Sequence, residues 1–248
     1  MLPVCNSPAR HTHKDNLTNG IIMKKGLLIA VLTLLIFLTG CDNSTQPPSP
    51  TDQLNKTAQP VSDPTEGKYT TLKSPLPSAE LASQKPYLVE FFWFGCPHCY
   101  SLEPLTKAFK EDNPDFQFIM IPAAPNSRWE IEARLFYAME ALGIKDALLD
   151  RVFKLYADKR NEKRYPTLDE VVSLMDQQGI TKEVLETSMN SDEVSIQIER
   201  SKKLFDQAEL TGVPSLIING KYQLEFSKLS SENFAADFMQ TILSLGKK

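Results

Sequence analysis

Cys96 and Cys99 enclose Pro97 and His98. Two thiols at this spacing can exchange a disulfide with other thiols, and zinc knuckles use the same spacing. The spacing alone does not choose between these uses, so the surrounding residues must. Proline is tolerated in the first turn of a helix because its missing N–H has no intrahelical partner there. Cys96 is therefore expected at a helix start, where free N–H groups and the helix dipole favour an anion. A thiol in that position titrates low, and the thiolate is the reactive form. Glu90 interrupts an apolar run just upstream, and a buried carboxylate is costly unless it has work or partners.

These residues need a strand and a helix to hold them. Tyr87 to Phe94 is aromatic and β-branched apart from Glu90 and reads as a buried strand. Gly95 breaks it. From Pro97 to about Asp112, Tyr100, Leu102, Leu105, Ala108 and Phe109 recur at helical steps, and Asn113-Pro114 stops the helix. A strand that feeds a helix through Cys-Pro-x-Cys reads as a redox site. A second element lies far downstream. In Gly212-Val213-Pro214-Ser215, a proline opens a short apolar strand, which ends in an Asn219-Gly220 turn.

The chain has 248 residues, 42% of them hydrophobic and 23% charged, an ordinary globular composition. Residues 1–40 stand apart. Met23-Lys24-Lys25 precedes an apolar core from Leu27 to Leu38, a secretory signal too short to span a bilayer. Residues 1–22 are polar and precede Met23, which reads as the true start. Leu38-Thr39-Gly40-Cys41 resembles a bacterial lipobox, which makes Cys41 the expected lipid site. Removal of residues 1–40 takes away Cys5, His11 and His13. Cys96 and Cys99 are then the only free thiols, and His98 is the only histidine. That excludes Ser-His and Cys-His catalysis of most kinds and four-ligand structural zinc. The trimmed chain keeps 23 of 27 basic and 30 of 31 acidic residues, since Arg10, Lys14, Lys24, Lys25 and Asp15 are lost, for a net charge of −7. Nothing in that balance suggests nucleic-acid binding.

From Asp42 to about Pro64 the residues are Pro, Ser, Thr, Asn and Gln, with scarcely an apolar side chain. This stretch reads as a tether whose 22 or so residues reach about 70 Å when extended. Lys68 to Leu72 is an expected edge strand, and Phe116 to Ile121 an expected buried one. Strand, helix and strand imply a parallel pair with a right-handed crossover. Helices are expected over Arg128–Leu142 and Lys145–Asp158. Others are expected from the Thr167-Leu168-Asp169-Glu170 capping box to Gly179, from Thr181, and over Asp192–Leu210. Arg160 to Arg164 is a mixed charge run and reads as a solvated loop. Ser215–Ile218 and Tyr222–Phe226 form an expected hairpin, and Ser230–Leu245 a closing helix. The fold class is α/β: a thioredoxin-like fold with an inserted all-helical domain. Its parts are residues 1–40 (leader and signal), 41–65 (lipidated tether), 66–125 (first thioredoxin-like part), 126–195 (helical insertion) and 196–248 (second part).

Phe91-Phe92, Cys96-Pro97-His98-Cys99-Tyr100, Glu103, Gly212-Val213-Pro214 and Asn219-Gly220-Lys221-Tyr222-Gln223-Leu224 resemble the DsbA family of periplasmic thiol:disulfide oxidases. Glu66-Gly67-Lys68 with Thr70-Thr71-Leu72 is similar to that family's N-terminal strand. The resemblance covers about residues 66 to 245. It departs in the lipobox and tether, and at Trp93 and Gly95. It implies that Cys96 is the exposed nucleophile and Cys99 its buried partner, and that Pro97 and His98 tune the Cys96 thiolate. Glu90 would be a buried acid able to take a proton from Cys99, and Glu103 would tune the thiolate locally. Pro214 would be cis, with the Val213 backbone beside Cys96 to bind substrate. Cofactors and metals are not implied. The implied partners are unfolded secreted proteins bearing cysteine thiols and a DsbB-like membrane reoxidase. The implied place is the periplasm, and the lipobox at Cys41 with Asp42 after it adds an expected lipid anchor in the inner membrane.

Two rivals remain at this point. A disulfide isomerase or reductase resembles dimers built through a folded N-terminal domain, for which residues 42–65 leave no room; valine before Pro214 also looks oxidase-like. A Cu(I)-binding thiol protein would use the soft thiolates of Cys96 and Cys99, but no methionine lies near the pair.

Overall fold

The computed structural model describes residues 63–82 and 86–248. The expected leader and signal segment, the expected lipid site Cys41 and most of the expected tether lie outside the described residues. The centre of the fold is β2 (Tyr87–Phe92), whose six residues are all buried. It lies in a sheet of five strands with β1 (Tyr69–Thr71), β3 (Gln117–Pro122), β4 (Ser215–Ile218) and β5 (Tyr222–Leu224), in the order β1-β5-β4-β2-β3. Strand β2 runs parallel to β3 and antiparallel to β4, so Glu90 stands opposite Met120 on one side and Leu216 on the other. The parallel pair is joined by α2 (Pro97–Asp112), the crossover that the strand-helix-strand pattern requires.

Side chains alternate along a strand. Tyr87, Val89 and Phe91 enter one apolar cluster, with Ile121 and Ile217. Leu88 packs under α2 with Leu102 and Phe109. Phe92 joins Cys96 and Cys99 in the core of the helical insertion. Glu90 therefore shares the β2 face that carries α2 and the cysteines. The insertion comprises α3 (Ser127–Ala141), α4 (Lys145–Asn161), α5 (Leu168–Ser173), α6 (Lys182–Met189) and most of α7 (Asp192–Gln207). Helix α7 continues through the boundary drawn at residues 195 and 196. Its Val194 and Ile198 pack in the insertion, while Leu204 and Phe205 pack against the sheet. A short α1 (Ser78–Leu81) and the closing α8 (Phe234–Gly246) complete the chain.

Several expected boundaries shift. Strand β3 is an edge strand, half-buried from Gln117 to Met120 rather than fully buried. Helix α5 has the capping box on Thr167 and Glu170 but stops at Ser173 instead of running to Gly179. Val171, Val172 and Ser173 are weak helix formers, and the N–H groups of Leu174 and Met175 tighten onto carbonyls three residues back. Helix α7 ends at Gln207 rather than Leu210. Glu209 adopts a left-handed φ of 52°, and the N–H groups of Glu209 and Leu210 bond back to Asp206 and Phe205, a C-terminal cap that stops the helix. Strand β5 gives way at Phe226 to a 3-10 turn, and α8 starts at Phe234 rather than Ser230. The tether also ends early. Lys248 pairs with Asp63 at 2.6 Å and Thr65 is fully buried, so the folded part begins before residue 66.

The Asn219-Gly220 turn does more than close the hairpin. The Asn219 N–H donates to the Tyr87 carbonyl, and its side-chain oxygen accepts from the Tyr87 N–H at 3.1 Å. Both turn residues have positive φ. The turn thus pins the start of the strand that delivers the cysteines.

Candidate active site

The chain leaves β2 through Trp93, Phe94 and Gly95, and the Cys96 N–H donates back to the Trp93 carbonyl at 3.0 Å. Cys96 is the N-cap of α2 with extended backbone, and Pro97 occupies the first turn. Its sulfur takes the place of the usual capping oxygen: the Cys99 N–H donates to Cys96 Sγ at 3.4 Å. On the other side, the Cys96 thiol donates to the Val213 carbonyl at 3.5 Å, and the Val213–Pro214 peptide bond is cis. The fold thus brings the two distant sequence elements together at one sulfur. Cys96 was expected to be exposed, but only 6% of it is accessible; Cys99 is fully buried. Phe94, Cys96 and Val213 all pack against the insertion core, and this covers all but the edge of the thiol.

The two thiols titrate apart. Cys96 is drawn down from 9.0 to about 6, first because the Cys99 thiol donates to it, against the cost of burial. The backbone N–H groups of Cys99 and His98 add to this, and the His98 charge acts last. Cys99 is pushed up, first by burial, then by the Cys96 sulfur, with Glu90 adding repulsion. At neutral pH one sulfur is therefore an anion and the other holds a proton. His98 is exposed at the rim, and its main contribution to the thiolate is its backbone rather than its ring. Beside it lies an apolar groove of about 320 Å³ lined by His98, Ser101, Leu102, Pro214, Phe226 and Phe234.

Glu90 is fully buried, and neither of its oxygens has a hydrogen-bond partner. Burial pushes its carboxyl well up, and the charges of Glu103 and Cys96 push it further. Glu103 is half-buried, with one unpaired buried oxygen, and is raised to about 7 by burial and then by Asp150. Glu103 was expected to tune the thiolate. Its influence falls on Glu90 instead, because its side chain lies on the α4 side of α2, in a cavity with Lys107, Asp150 and Phe153.

Sequence reasoning missed what holds the turn before Cys96. Trp93 stacks on Trp129 at 4.5 Å, and its Nε1 donates to Glu132 at 3.0 Å. Glu132 is buried and also takes a hydrogen bond from Arg128, whose guanidinium covers the Tyr165 ring at 3.8 Å. A methyl group on Gly95 would lie 2.4 Å from the Trp93 ring. Trp93 and Gly95, the two departures beside the cysteines, are thus one linked feature: the fixed indole requires the glycine. Gly95→Ala is expected to cost about 1–3 kcal/mol by overpacking and to slow alkylation of Cys96. Thermal unfolding and iodoacetamide kinetics check this, and a variant with unchanged stability and rate would refute the linkage.

Comparison with known proteins follows the same lines. A family model described as a DSBA-like thioredoxin domain matches residues 125–243. The thiol:disulfide interchange protein DsbA of Pseudomonas aeruginosa is 34% identical over 170 residues, which cover 68% of this chain and 79% of that protein. The DsbA of Azotobacter vinelandii is 33% identical over 159 residues, covering 64% and 72%. The crystal structure of the P. aeruginosa DsbA superposes with a TM-score of 0.59 at 30% identity, over 73% of this chain and 95% of that one. That likeness extends to the mixed sheet and to the inserted helices. The chain belongs to the DsbA family and is a thiol:disulfide oxidoreductase.

Proposed function

We propose that the chain is a dithiol oxidase that introduces disulfide bonds into secreted or periplasmic proteins through Cys96-Pro97-His98-Cys99. The observation that carries this reading is the position of Cys96 Sγ, which caps α2 and is drawn down to about 6. A stabilised thiolate favours the reduced enzyme, so the disulfide form is a strong oxidant.

In the oxidised enzyme a substrate thiolate attacks Cys96 Sγ. A mixed disulfide forms, the Cys96–Cys99 bond breaks, and Cys99 leaves as a thiolate. Cys99 then takes a proton, consistent with its raised affinity for one; Glu90, buried beneath the site, holds and exchanges that proton. A second substrate thiolate attacks the substrate sulfur of the mixed disulfide, forms the substrate disulfide and releases Cys96 as its thiolate. Two electrons pass from substrate to enzyme. The Val213 backbone beside Cys96 pairs with an extended substrate segment. Pro97 shapes the helix start, His98 supports the thiolate, and Pro214 holds Val213 in place. In intact cells, a Cys99→Ser variant is expected to accumulate mixed disulfides on Cys96. Failure to trap any would argue against oxidase work.

Each turnover leaves both cysteines reduced, so a reoxidase is needed. We assign this to a DsbB-like membrane partner that docks beside Cys96 and Val213. The lipobox supports lipid on Cys41 and a place at the inner membrane facing the periplasm, with Asp42 after the lipid site as the retention signal. Oxidising surroundings also suit the chemistry. Several acyl chains at about 0.8 kcal/mol per buried methylene anchor stably. Fractionation of wild type and Cys41→Ala is expected to place only the wild type in the inner membrane. Wild-type protein free in the periplasm would refute the anchor, and recovery in the outer membrane would refute the role of Asp42.

A further inference from the structure

The charge run Arg160 to Arg164 is not simply a solvated loop. It closes the end of α4 against the active-site turn. Gly95, the residue before Cys96, forms one wall of a cavity of about 190 Å³ whose other walls are Tyr156, Arg160, Lys163, Arg164 and Tyr165. Three of these six residues are cationic and none is acidic, in a chain whose net charge is −4. Glu162 and Glu170, the acids of this stretch, are taken by Lys159 and Arg164 at 2.7–2.9 Å. Among the described residues Arg160 and Lys163 have no carboxylate partner. Arg160 Nη1 is buried without a hydrogen-bond acceptor, an arrangement that costs free energy until an acceptor arrives. Lys163 takes a left-handed φ of 57°, with its N–H bonded to the Arg160 carbonyl, so the loop turns back over the helix end.

We propose that this cavity is a carboxylate subsite that receives an Asp or Glu side chain of the polypeptide being oxidised, one to three residues from its reacting cysteine. The distance follows from chain geometry. Gly95 and Cys96 have adjacent Cα atoms, about 3.8 Å apart, and an extended substrate advances about 3.3 Å per residue. A substrate sulfur at Cys96 thus brings its close neighbours to the mouth of the cavity. A carboxylate supplies the acceptor that Arg160 Nη1 lacks, and guanidinium–carboxylate hydrogen bonds are among the strong ones. The groove lined by Pro214, Phe226 and Phe234 has His98 at its rim and supplies no guanidinium or ammonium group. The subsite therefore makes the enzyme prefer acidic residues near one cysteine without fixing the rest of the sequence.

The proposal rests on the reading of Cys96 as the reacting sulfur, and the test keeps the two apart. Paired peptides are made with a single cysteine and with Glu or Gln one, two or three residues from it, each presented as a disulfide with the same small thiol. Attack by Cys96 of the reduced wild-type protein on the peptide sulfur, which releases the small thiol, is expected to be about fivefold faster on the Glu peptide at its best position. The advantage should shrink in high salt. It should be lost in the Arg160→Gln, Lys163→Gln double variant and reduced in each single one. Comparing the Glu-to-Gln rate ratio between proteins cancels the peptides' own reactivity. Equal rates in wild type, or an advantage that survives both substitutions, would overturn the subsite. If the reduced protein attacks these peptides but its oxidised form oxidises no dithiol, the oxidase reading falls, while the Glu-to-Gln ratio still decides the subsite.

Discussion

Between pH 6 and pH 9 the reduced protein is expected to gain stability that the oxidised protein does not. Folding lowers the Cys96 thiol from 9.0 to about 6. A depressed group contributes stability that is fully present above the unfolded value and is lost as pH falls through the folded one. Three pH units are worth about 4 kcal/mol unscreened, and screening by solvent at the mouth of the site leaves about 2 kcal/mol. The oxidised protein has no thiol to titrate. Cys99, held far up, keeps its proton in the folded protein and offsets part of this gain only near pH 9, where the unfolded thiol ionises. Urea unfolding of both forms across this range measures the difference, and a difference that stays flat with pH would refute the reading. The order of causes adds a sharper expectation. The Cys99 thiol is the first donor to Cys96 and the His98 charge the last. Cys99→Ala should therefore raise the Cys96 pKa more than His98→Ser does, as read by ultraviolet thiolate absorbance. The opposite ranking would return the leading role to the imidazole.

Glu90→Gln is expected to make the protein more stable at neutral pH and slower in turnover. A carboxyl raised by burial gives the reverse sign from Cys96. The unfolded chain ionises first, near the usual 4.3, so folding loses stability as pH rises from there towards the folded value. The amide removes that loss, a gain of about 1–3 kcal/mol at neutral pH, and the gain should vanish near pH 4. It also removes the group proposed to exchange a proton with Cys99, so oxidation of a dithiol peptide should slow. Urea midpoints at acid and neutral pH, with stopped-flow turnover, test both halves. A variant with wild-type stability at neutral pH would show that Glu90 carries no buried strain. A stabilised variant with wild-type turnover would remove it from proton transfer.

Much of this was legible because the signals are local. Pro97 after Cys96 and Asn113-Pro114 mark both ends of α2, which spans Pro97–Asp112 as expected. An acid inside an aromatic strand marks Glu90 as unusual without any partner being known. The pairing of Val213 with Cys96 was reached through resemblance, since 117 residues separate them. What escaped depends on partners far along the chain. Nothing in Trp93-Phe94-Gly95 announces that Glu132, 39 residues on, fixes the indole that makes Gly95 obligatory. Nothing in Arg160 to Arg164 announces that its cavity wall is Gly95. Glu103 follows a helical spacing from Cys99 that suggested contact with the thiolate, but its face of α2 is covered by α4.

Helix α7 has one more consequence. Its first half is sealed in the insertion by Val194 and Ile198, and its second half sets Phe205 edge-on against Phe91 of the central strand, 5.9 Å between ring centres. One continuous rod is thus shared by both cores. The insertion is therefore no detachable module: a cut at residue 195 severs the rod and uncovers apolar surface on both sides. The two halves should melt in a single cooperative transition. Backbone amides from Ile198 to Leu204 should exchange with solvent only when the whole molecule opens.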